Sequence, residues 1–191
     1  MTAVWWLLAL QGAIGAFDTA YYHEYKARLC ARMPQTRTEL LLHALRDFVY
    51  GAIFVGLPRF SFHGAYAGLL LALLAFEIVV TLADFVVEVD AREPEGVAKG
   101  ERVTHAVMAI VYGAMLGQLL PGVLGWWSLP SALAAPQEAP APLLLGALTC
   151  MGVGVTLSGM RDLYAVLGLP GAAYPWQESA RRFSRISGSQ R

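Results

Sequence analysis

Charged side chains are scarce in this chain. Asp, Glu, Lys and Arg make up 15% of its 191 residues, where a soluble domain carries roughly 25%. Hydrophobic residues reach 57% and the mean hydropathy is +0.50. That balance excludes an ordinary water-facing globule and points to a polytopic membrane protein. Cysteine is nearly absent as well. Cys30 falls in a polar stretch and Cys150 in an apolar one, settings too unlike for a disulfide framework, and both thiols are expected to be free. Fourteen basic residues cancel fourteen acidic ones, which removes any argument for nucleic-acid binding from overall charge. No glycine-rich phosphate loop or dinucleotide fingerprint is present. The first apolar stretch has no basic segment before it and no small-residue cleavage site, so it is expected to stay as a membrane helix and not leave as a signal peptide.

What is present is a set of apolar runs of bilayer length, about 20 residues, at 4–22, 40–57, 65–89, 103–120 and 143–157, the last with room to extend to 169. The expected fold is all-α, a five-helix membrane bundle over 1–175 followed by a basic tail over 176–191. Pro58 and Pro121 fall where spans two and four can stop, and Trp5, Trp6, Trp126, Trp127 and Trp176 fit interfacial anchors. The proline- and alanine-rich stretch 121–142 reads as an irregular connection.

Basic residues are unevenly distributed. Lys26, Arg28, Arg32 and Arg37 lie between spans one and two, Arg92, Lys99 and Arg102 between three and four, and Arg161, Arg181, Arg182, Arg185 and Arg191 after five. Arg59 alone lies between two and three. The positive-inside rule then predicts an outside N-terminus and a cytoplasmic C-terminus in the inner (plasma) membrane.

Within the spans, ionisable residues collect near one predicted boundary: Asp18, His23 and Glu24 close the first, His43, Arg46 and Asp47 open the second, Asp84 and Glu88 close the third, and His105 opens the fourth. Each is costly in hydrocarbon, by roughly 2.5–3.5 kcal/mol on insertion scales, so their gathering marks a functional site. His43 and Asp47, Asp84 and Glu88, and Glu101 and His105 are four apart, and Glu77 precedes Asp84 by seven, spacings that put each set on one helix face. Glu77 lies near mid-membrane, where it is either protonated or beside a cation.

Imidazoles and carboxylates from facing helices are the usual means of holding paired iron or manganese ions. The expected metal ligands are therefore His23, Glu24, His43, Asp47, Glu77, Asp84, Glu88 and His105, with Glu101 ranked lower as a charge that favours a helix N-terminus. Di-iron is the first expectation; manganese or a single zinc would use the same ligands. The Glu-x-x-His spacing of soluble di-iron bundles is not matched by Glu101-x-x-x-His105, and four histidines are too few for the clustered motifs of membrane desaturases. The likeness is one of ligand type only.

The leading expectation is a metal-dependent oxidoreductase acting on a lipid-like substrate that enters from the bilayer, with a separate electron donor. The alternatives are a zinc hydrolase, a proton or divalent-cation transporter, and an accessory subunit, alone or in an oligomer, whose polar network is structural, with Arg46 pairing Asp84 or Glu88. Haem held by His43 and His105 is disfavoured by the surrounding carboxylates. Span five, without acid or His over 143–157, is expected to stand beside the site. Gly113-x-x-x-Gly117 and Gly154-x-x-x-Ser158 fit close helix packing. Tyr21, Tyr22, Tyr25, Tyr50 and Tyr112 need no role beyond that of interfacial aromatics.

Overall fold

A computed structural model describes residues 1–174; the basic tail, with Trp176, Arg181, Arg182, Arg185 and Arg191, lies outside the described residues. The chain is all-helical apart from two short strands. Helix α1, Thr2–Phe17, runs into a π-helical segment, Asp18–Ala27, and a 3₁₀ turn, Leu29–Arg32. Then come α2 at Arg37–Gly56, strand β1 at Ser61–His63, α3 at Ala65–Ala91, α4 at Lys99–Trp127, strand β2 at Ala132–Ala134 and α5 at Pro142–Val166.

Four stretches are long and apolar enough to cross a membrane: Thr2–Arg32, Ala65–Ala91, Lys99–Trp127 and Pro142–Val166. The chain is a membrane protein by that measure. Its outer faces agree, since Leu69, Val79, Val86 and Ile110 are more than 60% exposed, an apolar surface that only lipid or another protein can cover. Helix α2 is too polar to join the four, because Arg37, Glu39, Arg46 and Asp47 interrupt it. It packs most extensively on α5 and then on α3, while α1 packs on α4 and α5, and α3 meets α4. The five helices thus close a ring in the order α1, α4, α3, α2, α5.

One end of the ring gathers the N-terminus and the α2–α3 and α4–α5 connections. The terminal ammonium lies 3.2 Å from Glu138, and β1 pairs antiparallel with β2, His63 opposite Ala132. The other end joins the α1–α2 and α3–α4 connections, where Arg32 donates to Glu95 at 2.8 Å and Gln35 to the Glu93 carbonyl at 3.1 Å. An apolar core of Leu8, Ile53, Phe54, Met115 and Leu119 fills the first half, and the polar site fills the second.

Several expectations are corrected. Pro121 sits inside α4, which continues to Trp127; its missing N–H costs one hydrogen bond, a loss that membrane helices tolerate. The 121–142 stretch is thereby shortened and carries β2. His63 is strand-borne and partly buried, 6.4 Å from the Trp126 ring. Trp5 is no interfacial anchor: it is 2% exposed and donates to the Glu138 carbonyl. Gly64, at φ +57, allows the close approach that lets Ala65 N–H reach Ser131 Oγ at 2.9 Å.

Close helix packing within the chain occurs at Gly152 and Gly159, while Gly113, Gly117 and Gly154, whose spacing fits packing within the chain or between subunits, lie on open faces. A Cβ on Gly152 would stand 2.8 Å from Val55 and one on Gly159 2.9 Å from Asp47 Cβ, whereas Cβ atoms on Gly113, Gly117 or Gly154 would meet nothing within 4 Å. Gly159→Leu is therefore expected to lower stability by about 1–3 kcal/mol through overpacking, and Gly113→Leu to leave it unchanged. Thermal unfolding of both variants in detergent checks this, and equal melting would place the α2–α5 seam elsewhere.

Candidate metal centre at the polar end of the bundle

Four segments supply the site, and local helix geometry explains each contribution. On α3 the buried residues are Ala67, Leu70, Leu74, Glu77, Val80, Asp84, Glu88 and Ala91, one inward stripe at spacings of three and four, so its acids face the ring interior with the apolar residues. On α4 the stripe begins with Glu101 and His105. On α2, Glu39, His43 and Asp47 are buried. In the first segment, the π-helical backbone bonds residues five apart and stacks His23 beneath Asp18, whose Oδ2 lies 3.2 Å from His23 Nε2. An α-helix would set the two roughly 140° apart around its axis.

The three imidazoles converge. His23 stacks on His43 with ring centroids 4.5 Å apart and meets His105 edge-on at 6.3 Å. His105 Nε2 is 3.3 Å from Asp18 Oδ2, and its Nδ1 is 3.6 Å from Glu88 Oε1. His43 Nε2 lies 3.1 Å from Asp84 Oδ2, to which Arg46 also donates at 3.2 Å. Among the described residues three sets of ligand atoms fall within 4.8 Å of one another: Asp18, His23 and His105; Glu88, Glu101 and His105; and, apart from these, Glu24, Cys30 and Asp162. The first two sets share His105.

Arg92 is the charged residue that sequence reasoning misplaced. It reads as a loop cation, yet it is 1% exposed, bonded to Glu39 and Glu101, and 3.8 Å from Glu88. Burial opposes its charge, but the hydrogen bonds and negative charge of Glu39 and the charge of Glu101 outweigh that and hold its pKa above the ordinary range. Glu101, ranked low as a helix-end charge, is 1% exposed and shares Oε1 between Arg92 and His23, the latter at 3.4 Å.

The buried carboxylates of Asp18, Glu39, Asp84, Glu88 and Glu101 outnumber the guanidiniums of Arg46 and Arg92 by three. Such an excess in a low-dielectric interior is offset by protons on the imidazoles or on some of the carboxylates, or by added cations. Within it, Asp18 Oδ1, Glu88 Oε2 and His23 Nε2 are buried without an aligned hydrogen-bond partner; His23 Nε2 is close to two carboxylates but off the hydrogen-bonding direction.

No protein-family model, curated protein or solved structure matches this chain. The residues and their geometry carry the argument alone.

Of the eight nominated residues, His23, His43, Asp84, Glu88 and His105 come together, Glu24 and Asp47 line a small pocket with His23 and His43, and Glu77 stands apart. Glu24 turns to Arg161 on α5. Asp47 is buried against Gly159 of α5. Glu77, about two turns along α3 from Asp84, accepts from Thr81 Oγ1 at 2.8 Å and belongs to a separate polar group with Tyr50 and Tyr112, in which Gln11 donates to Tyr50 at 3.2 Å. Its company is hydroxyl groups and not a cation. Asp18, Glu39, Arg92 and Glu101 belong to the network as well. Helix α5 is also more than a bystander: Asp162 is 5% exposed, beside Cys30 at 3.8 Å.

Proposed function

We propose that the polar end of the bundle binds transition-metal ions and that the protein is a membrane-embedded, metal-dependent oxidoreductase acting on a lipid-like substrate. The observation that carries this is the set Asp18, His23 and His105, whose ligand atoms lie within 4.8 Å of one another in a buried setting with His23 Nε2 unaligned to any acceptor. Glu88 and Glu101 extend it through His105 toward a second ion, and His43 and Asp84 stand behind as partners. The abundance of carboxylate and imidazole in the two sets that share His105 favours iron or manganese over softer-ligand metals. With no nucleotide loop in the sequence, electrons come from a separate donor. A metal reduced by dithionite and reoxidised by air should give a reversible spectral change without a haem Soret band. Zinc alone in the purified protein would turn the reading to hydrolysis.

A second reading is favoured by the two buried guanidiniums. Arg92 with Glu39 and Glu101, and Arg46 with Asp84, form pairs that hold helices together without any metal, as in an accessory subunit.

For topology we propose five crossings. The up-and-down connection of the helices supports α2 as a fifth span, its charges being shielded by pairing inside the ring. The basic residues of the α1–α2 and α3–α4 connections support a cytoplasmic polar end in the plasma membrane. In a Cys150→Ser background, Glu138→Cys should react with an impermeant thiol reagent on intact cells and Glu95→Cys should not. The reverse pattern would invert the orientation.

A further inference from the structure

Between α1, α2 and α5 lies a cavity of about 680 Å³, within the range of roughly 300–1,000 Å³ typical of small-molecule sites. Its two ends differ in chemistry. Phe54, Met108, Met151 and Val155 line the half toward the bundle middle, and Asp18, Glu24, Arg46, Asp47, Ser158 and Arg161 line the other. Ala16, Ala20, Gly154 and Leu157 belong to its wall and are exposed on the outer surface of α1 and α5, so the cavity opens sideways between those helices, toward lipid in a membrane. Asp18 is at once a cavity wall and a member of the His23–His105 set.

From this we infer that the cavity binds a single-chain amphiphile with a non-anionic head, tail toward the bundle middle and head beside Asp18. A volume of about 680 Å³ accommodates one hydrocarbon chain with its head. An anionic head is disfavoured because the cations at the polar end are already engaged: Arg46 with Asp84 and Arg161 with Glu24. Three acids, Asp18, Glu24 and Asp47, line that end against two guanidiniums, so an anionic head would bring unpaired charge into a site already negative. Hydroxyl and carbonyl groups can exchange hydrogen bonds there at no such cost. The inference rests on the redox reading only for the occupant's fate, not for its binding.

The test is photolabelling of the full chain in lipid vesicles with a long-chain alcohol bearing a mid-chain diazirine, and with the matching carboxylate. Gly154→Trp, at a position where a Cβ meets nothing within 4 Å, and Gly15→Leu, where Met108 Cε lies 3.6 Å from a Cβ, are the two plugs. The alcohol should label Met108, Met151 or Val155, with labelling about tenfold lower in either plugged variant and about tenfold lower for the carboxylate. Equal labelling by the carboxylate would overturn the head assignment. Labelling of the lipid-facing Val79 and Val86 at the same density, unchanged by the plugs, would overturn the site. His105→Ala protein should still be labelled, so failure of metal binding leaves this inference standing. Lost labelling in metal-replete protein removes it alone.

Discussion

His105→Ala is expected to abolish metal binding, with an affinity loss of more than about 100-fold, because His105 is the one side chain common to both histidine-bearing ligand sets and even supporting residues behind a metal ligand are worth roughly 10–100-fold. His43→Ala should fall within that smaller range. Its ring stacks on His23 and its Nε2 engages Asp84, so it orients ligands while standing outside the two sets. Neither change should prevent membrane insertion, which apolar spans drive. Metal titration of the purified variants decides between the two roles: equal losses would make His43 a ligand, and no loss in His105→Ala would remove both sets.

The largest stability effect is expected at Arg92. Arg92→Met removes the cation shared by Glu39 and Glu101 inside a site where all three are buried. Stranding buried charge typically costs 3–5 kcal/mol, taken here as about that size, while replacing a whole buried group by apolar side chains of similar volume is often neutral. The triple change Arg92→Met, Glu39→Met and Glu101→Leu should therefore regain most of the lost stability, read by thermal or denaturant unfolding in detergent. If the single variant melts like the parent protein, the pairs are not holding the helices. If the triple variant is fully stable and still binds metal, Glu101 is not a ligand and the Asp18–His23–His105 set acts without it.

The parts of the site legible in the sequence are those on regular helices. Asp84, Glu88 and His105 follow 3.6-residue periodicity, so spacing alone aims them inward, and His43 follows the same rule on α2. What spacing could not show comes from departures from that period or from mixed signals. Asp18 and His23 are five apart, a pairing that only the π-helical segment creates, and nothing in the side chains of residues 18–27 announces that backbone. Arg92 and Glu39 flank predicted spans, where charges are ordinarily solvated or orient the chain; their burial follows from the α3–α4 and α1–α2 connections folding over the bundle end. Pro121 looked like a stop because proline ends helices in water, and α4 passes through it. Span five is uniformly apolar only to Leu157, and Arg161 and Asp162 in its extension toward 169 read as charges at a helix end, whereas Asp162 is buried. Helix α2 illustrates the opposite case: its charges make it a weak membrane span by composition, and the ring of apolar neighbours makes it the centre of the packing.

The central claim is that the buried imidazoles and carboxylates hold metal, and the most direct test is elemental analysis of the detergent-purified protein beside its Asp18→Ala and His105→Ala variants. The account predicts about two iron or manganese ions per chain, as paired carboxylate–histidine centres hold, with both lost in His105→Ala and at least one lost in Asp18→Ala. Protein that carries no metal after expression in metal-rich medium, and whose melting temperature is unmoved by added iron, manganese or zinc, would contradict it.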